Sequence, residues 1–166
     1  VTGVQTCALP IFRAREVSSR EVVEAHVRQI ERVDPALHAV VRHRFESARG
    51  EADAADRALA GGGPLPPFHG VPCTVKESFA VTDMPWTAGL VARRDVVASA
   101  DAPAVARLRA AGMIPLAVSN TSELCMWMES VNRLHGRTGS AYDPARTAGG
   151  SSGGEGALVG AGASPV

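Results

Sequence analysis

Apolar residues return along the first third of the chain with a helical period. Val22, Val23, His26, Val27, Ile30 and Val33 lie three or four positions apart, the spacing that gathers side chains on one face of a helix. Ser18-Ser19-Arg20-Glu21 just ahead of them reads as a capping box, and Asp34-Pro35 as the stop. Leu37 to Val41 is expected to be a short extended or turned segment. Phe45, Ala48, Ala52, Ala55 and Leu59 then repeat the helical spacing up to Gly61-Gly62-Gly63, which predicts a second helix weakened by Gly50.

Beyond this point the period shortens. Residues 61–67, GGGPLPP, exclude regular structure. Val71 to Val75 reads as a strand that delivers Lys76 at its end. Asp101 is the expected cap of a third helix, with Pro103 in its first turn, Val105, Leu108 and Ala111 on one face and Gly112 at the stop. Met113 to Val118 is short, apolar and bounded by turn formers, as a buried strand is. A helix set between two apolar strands predicts α/β layering. Ser119 to Glu123 reads as a polar strand end and helix cap ahead of Leu124-Cys125-Met126-Trp127, and Ser130 to Arg146 as a long irregular loop.

Composition narrows the class without naming a chemistry. The 166 residues carry no formal net charge and are 45% hydrophobic, as in an ordinary globular chain. Zero charge gives no electrostatic case for nucleic acid or an acidic membrane. No apolar run approaches the ~20 residues of a membrane span. Cys7, Cys73 and Cys125 form no CxxC pair, and His26, His38, His43, His69 and His135 are scattered. Neither pattern argues for a disulfide framework or a zinc site. Residues 1–11, VTGVQTCALPI, resemble the translation of a sequencing-adapter oligonucleotide and are set aside from the fold. The chain stops at Val166 inside an apolar segment, so residues 12–166 are expected to be an interior piece of a longer protein.

One stretch does point to chemistry. Gly149-Gly150-Ser151-Ser152-Gly153-Gly154 holds two adjacent hydroxyls between glycine pairs, directly before Gly156-Ala157-Leu158-Val159. A flexible linker would be flanked by more Gly and Ser. A phosphate loop would need Lys where Glu155 stands, and the GxGxxG spacing fails as well. Gly149-x-Ser151-x-Gly153 also fits the nucleophile elbow, but that turn must follow a strand, and residues 142–146 read as a turn. A catalytic hydroxyl is the reading that is left. Lys76 is the second singular residue. A lysine at a strand end is ordinarily a solvated charge; to act as a base it must be desolvated, and lowering its pKa from ~10.4 to ~7 costs about 4–5 kcal/mol.

GVPCTVKESF, the interval from Lys76 to Ser151, and AGGSSGGEGALVGAGASP together resemble the amidase signature family of amide hydrolases. SNTSELCMWMES and GRTGSAYDP are most similar to its fatty-acid amide hydrolase branch. The resemblance runs from Val17 to Val166. It implies the N-terminal part of an α/β fold with a mixed β-sheet core flanked by helices. It also implies a Ser-Ser-Lys triad in which Lys76 is the general base and Ser151 the relay serine, entered by a cis peptide bond. Ser152, Gly149, Gly150 and Gly153 would support the loop, and Cys125 and Met126 would lie near the acyl pocket. The acylated serine of the family sits downstream in a second Gly-Gly-Ser turn, beyond Val166, so this piece alone is expected to hydrolyse nothing. The implied reaction is acyl transfer on a small-molecule amide, in the cytoplasm, with no metal, organic cofactor or nucleic acid; a homodimer and a membrane association stay open. The rival within the family is the glutaminase-like A subunit of tRNA amidotransferase. Of the acids, Glu123 rather than Glu77 is expected to buttress the site, because it follows an apolar strand. By residue type Trp86, Met126 and Trp127 read as core.

Overall fold

The computed structural model describes residues 12, 14 and 16–165; the readings made on residues 1–11 and on Val166 lie outside the described residues. The elements run α1 (Ser19–Leu37), β1 (Val40–His43), α2 (Phe45–Ala60), β2 (Pro72–Lys76), α3 (Pro103–Ala110), β3 (Ile114–Ser119), β4 (Val131–Asn132), β5 (Gly136–Arg137) and α4 (Gly153–Gly160). The class is α/β, as the spacing predicted.

α1 begins as its sequence requires. Ser18 Oγ accepts the Glu21 N–H at 3.1 Å and Glu21 Oε2 accepts the Ser18 N–H at 2.8 Å, so two helix-start donors are satisfied reciprocally. Its stop differs from the expectation: the helix continues through Pro35 to Leu37 and closes at His38 in the left-handed region. Pro35 falls in the last turn, where little of the helix ladder remains to be broken. Asp34 Oδ1 then accepts the N–H groups of Ala39 and Val40 at 2.7 and 2.9 Å, which ends the helix. In α2, Phe45, Ala48 and Ala52 are buried; Gly50 is exposed and leaves the helix continuous. α3 is capped differently from the expectation. Its cap position is Ala102, and Asp101 instead accepts the N–H and hydroxyl of Thr82 at 2.7 and 2.9 Å while pairing with Arg109 Nε at 2.8 Å.

The main sheet has the order β1-β3-β2, with β2 parallel and β1 antiparallel to β3. All six residues of β3 are buried, which explains why the segment reads as one apolar run rather than an alternation. Pro115 is tolerated in this central strand at a register shift opposite Cys73 and Thr74. One apolar cluster joins Val23, Val27 and Ile30 of α1 to Phe45, Leu116 and Leu158. A second joins Val71, Val75, Val105, Met113 and Val118. The sheet therefore carries packed side chains on both faces, and its strand ends are left for polar groups.

The segment after β3 corrects two expectations. Ser119 to Ser122 is fully buried, and Ser122 caps not the expected helix but a single 3-10 turn, Glu123–Cys125, in which Leu124 and Cys125 have left-handed backbone. Positive φ in consecutive non-glycine residues is incompatible with the expected helix. The loop from Ser130 to Arg146 contains the short hairpin β4-β5. It is pinned by Asn132, whose Nδ2 donates to Asn120 Oδ1 and Thr121 O at 2.8 and 2.7 Å.

Candidate active site

Lys76 ends β2 and faces Ser119 across the parallel pair; Ser151 ends the glycine-rich loop just before α4. The sheet and the loop bring them together, and Lys76 Nζ stands 2.6 Å from Ser151 Oγ. Both residues are half-buried. The Gly150–Ser151 peptide is cis, and Gly149 has a φ of 84°. Gly150 has no alternative at its position, because a Cβ there would meet the backbone of Met128 and Glu129 at 2.6 and 2.7 Å.

Hydroxyls hold the loop from behind. The Ser151 carbonyl accepts Thr121 Oγ1 at 2.9 Å and Ser130 Oγ at 3.0 Å, and Ser130 Oγ in turn accepts the Gly153 N–H at 2.6 Å. The Ser130 N–H donates to Gly149 O at 2.9 Å. Ser130 thus touches the loop at three points, a role that its place in an irregular segment did not signal. Ser152 is exposed and occupies the cap position of α4.

The acids are arranged otherwise than expected. Glu123 is exposed. Glu77 is completely buried and accepts the N–H groups of Thr87 and Ala88 at 2.5 and 2.7 Å, which anchors the turn beside the site. Glu155, for which the sequence offered no role, accepts Ser119 Oγ at 2.6 Å and Thr74 Oγ1 at 2.5 Å. Burial pushes its carboxyl above the ordinary value, against these hydrogen bonds and the charge of Lys76. Its place in the first turn of a helix that starts at the glycine-rich loop was the available signal.

Cys125 is half-buried, with Sγ 3.5 Å from Thr121 Oγ1. Burial works to raise its thiol, but hydrogen bonding to Thr121 and Ser78 and the charge of Lys76 outweigh it, leaving the thiol below its ordinary value. Met126, Trp127 and Trp86 are not core residues: they are 82%, 60% and 37% exposed. The left-handed turn at Leu124 and Cys125 directs the first two outward. Trp86 is fixed at the surface by donating Nε1–H to Ser78 O at 3.0 Å and by Arg93, stacked 4.5 Å above its ring.

Residues 21–166 match the model of the amidase family. The chain belongs to the amidase signature family. It is 50% identical over 162 residues to fatty-acid amide hydrolase 2-A of Danio rerio, covering 93% of this chain and 30% of that protein. It is 38% identical over 165 residues to the A subunit of glutamyl-tRNA(Gln) amidotransferase from Acidothermus cellulolyticus, covering 99% of this chain and 32% of that one. Among solved structures it is similar to a bacterial aryl acylamidase of the amidase signature family, with a TM-score of 0.86 and 30% identity over 91% of this chain and 32% of that chain. The chain thus spans about a third of the length of these relatives.

In this amidase chain a cavity of about 590 Å³ runs along β2 from Val71 to Lys76. Val75, Phe79, Val105 and Leu108 line it on the apolar side and Lys76 and Glu155 on the polar side. Among the described residues no group of three or more His, Cys, Asp or Glu is placed to hold a metal ion, and no helix is long and apolar enough to cross a membrane. What the corner offers chemically is an amine in hydrogen-bond contact with a hydroxyl, held among buried hydroxyls and two carboxylates, Glu77 and Glu155.

Proposed function

We propose that the complete protein is an amide hydrolase working by acyl transfer through a Ser-Ser-Lys triad, with acyl or fatty-acid amides as substrates. The observation that carries this reading is the 2.6 Å contact between Lys76 Nζ and Ser151 Oγ. A neutral Lys76 amine takes the Ser151 proton as Ser151 takes one from a nucleophilic serine, which attacks the substrate carbonyl. The same relay returns a proton to the departing amine, and water cleaves the acyl-enzyme. The nucleophile belongs to the part of the protein beyond this chain, residues 12–166 being the N-terminal portion of one amidase domain. The chain by itself is therefore inactive. Ser152 serves as an auxiliary donor, and Cys125 and the exposed Met126 border the acyl group.

A second reading rests on the 38% identity to an amidotransferase A subunit: glutamine hydrolysis with ammonia passed to partner subunits. The 50% identity to a fatty-acid amide hydrolase favours the first. Assaying the complete protein with a long-chain primary amide and, separately, with glutamine decides between them. Release of ammonia from the long-chain amide is expected. Turnover of glutamine alone would transfer the assignment to the second reading, and turnover of neither substrate would reject both.

A further inference from the structure

Glu155, a half-buried carboxylate, lines the same cavity as Lys76. Glu155 lies in the first turn of α4, and each of its oxygens takes one hydroxyl, Oε1 from Ser119 at 2.6 Å and Oε2 from Thr74 at 2.5 Å. That arrangement suits the ionised form, in which both oxygens accept. Thr74 precedes Lys76 on the same side of β2, and Ser119 is the register partner of Lys76 on β3. The two hydroxyls thus steer the carboxylate to the strand face that carries the amine.

The cost is visible in the direction of titration. Burial is the largest influence on Glu155 and opposes its ionisation, whereas a glutamine of nearly the same shape would meet both hydroxyls without a desolvated charge. A half-buried carboxylate whose ionisation burial opposes, set near another titratable group, is a pattern found at functional sites. Lys76 and Cys73, both on β2, are titratable groups whose charges interact with Glu155, and the Cys125 thiol also feels the charge of Lys76. Burial, with the charge of Glu155, pushes the Cys73 thiol up to about 12, so it stays neutral. Lys76 is the cation on which the carboxylate acts.

Resting on the triad reading, we infer that Glu155 is a positioning residue: its carboxylate stabilises the ammonium that Lys76 becomes when it takes the proton passed on by Ser151. It would do for a lysine base what the buried aspartate of a Ser-His-Asp triad does for the imidazolium. Lys76 and Ser151 move the proton, and Glu155 lowers the cost of the charge that results.

The test is the pH dependence of kcat/KM in the complete protein. In Glu155→Gln, kcat falls by about tenfold or more, and the acid limb moves to lower pH because the ammonium has lost its counter-charge. Glu155→Asp restores the wild-type position of the limb. Ser119→Ala, which removes one donor to the carboxylate, moves the limb in the same direction by less and serves if Glu155→Gln does not fold. An unmoved acid limb in the folded variants overturns the inference. Lys76→Ala, measured alongside, keeps the two levels apart: if it is inactive while the limb stays put, only the role of Glu155 falls; if it keeps near wild-type turnover, the triad reading falls as well.

Discussion

Between α1 and α2, Val23, Val27 and Ile30 meet Phe45, Ala48 and Ala52 in an apolar seam, and charges stay at its rim in pairs such as Arg49–Glu24 and Arg20–Asp53, both at 2.8 Å. At the corner of Lys76 and Ser151 the buried groups are instead hydroxyls, amides and a carboxylate: Ser119, Asn120, Thr121, Ser122, Ser130 and Glu77. The seam is held by burial, which grades with the volume removed; its partly exposed ion pairs add little. The corner is held by close approach and directional bonds, which fail abruptly when one atom is added or one partner lost. A single small chain therefore contains one region tolerant of volume changes and one intolerant of them.

The largest break expected is at the corner and concerns activity. Lys76→Ala in the complete protein should lower kcat/KM by about 10³-fold or more while the folded structure, followed by circular dichroism, is kept. Near wild-type turnover would remove Lys76 from the chemistry. The contrast in packing is tested by Gly154→Ala. A Cβ at Gly154 would lie 2.5 Å from both the backbone N and O of Asn120, atoms that cannot swing aside, so a loss of about 3 kcal/mol is expected in chemical unfolding. A loss below about 1 kcal/mol would mean that the corner gives way after all. In the seam, Val27→Ala removes a fully buried side chain and should cost about 2 kcal/mol, with the kinetic constants of the folded protein unchanged.

Two smaller effects separate the regions by sign. Glu155 has its folded value raised above the ordinary 4.5, chiefly by burial, so the unfolded chain releases this proton first. Stability then falls as pH rises from about 4.5 through the raised folded value, a fall that Glu155→Gln lacks. Melting temperatures of the two proteins should coincide in acid and separate towards neutral pH, with the variant higher; parallel curves would show that the carboxylate is not buried at a cost. Gly50 is exposed in α2, and a Cβ added there would meet nothing within 4 Å. Its replacement by Ala should add about 0.5–1 kcal/mol of stability. The two helical glycines, Gly50 and Gly154, are thereby expected to respond to the same substitution in opposite directions.

Much of the seam was legible in the sequence because its signals are local. The capping box at Ser18 and Glu21, the spacing of Val23, Val27 and Ile30, and the apolar run of β3 each depend on neighbours within a few positions. The misreadings share a cause. Pro35 and Asp101 carry strong helix-boundary statistics, yet the burial of Leu37 and the contacts of Asp101 with Thr82 and Arg109 overrode them. Glu123 was favoured because it follows an apolar strand, but the left-handed turn at Leu124 and Cys125 leaves it at the surface together with Met126 and Trp127. Glu155 served only to exclude a phosphate loop, because an acid in the first turn of a helix is common on surfaces and its partners Thr74 and Ser119 lie far away in sequence.

By itself the amino-acid sequence determined the three long helices, the two strands β2 and β3, the α/β class and the pair of singular residues, since helix period, strand runs and the Gly/Ser pattern are written in contiguous residues. Only the tertiary structure decided that Lys76 and Ser151 touch, that Glu155 takes the hydroxyls of Thr74 and Ser119, and that a run of polar residues at the end of β3 and just after it is interior. The order β1-β3-β2 places the ends of β2 and β3 next to each other under the start of α4. Contacts of that kind depend on which strands become neighbours, a choice made by the packing of the whole chain and carried by no short stretch of it.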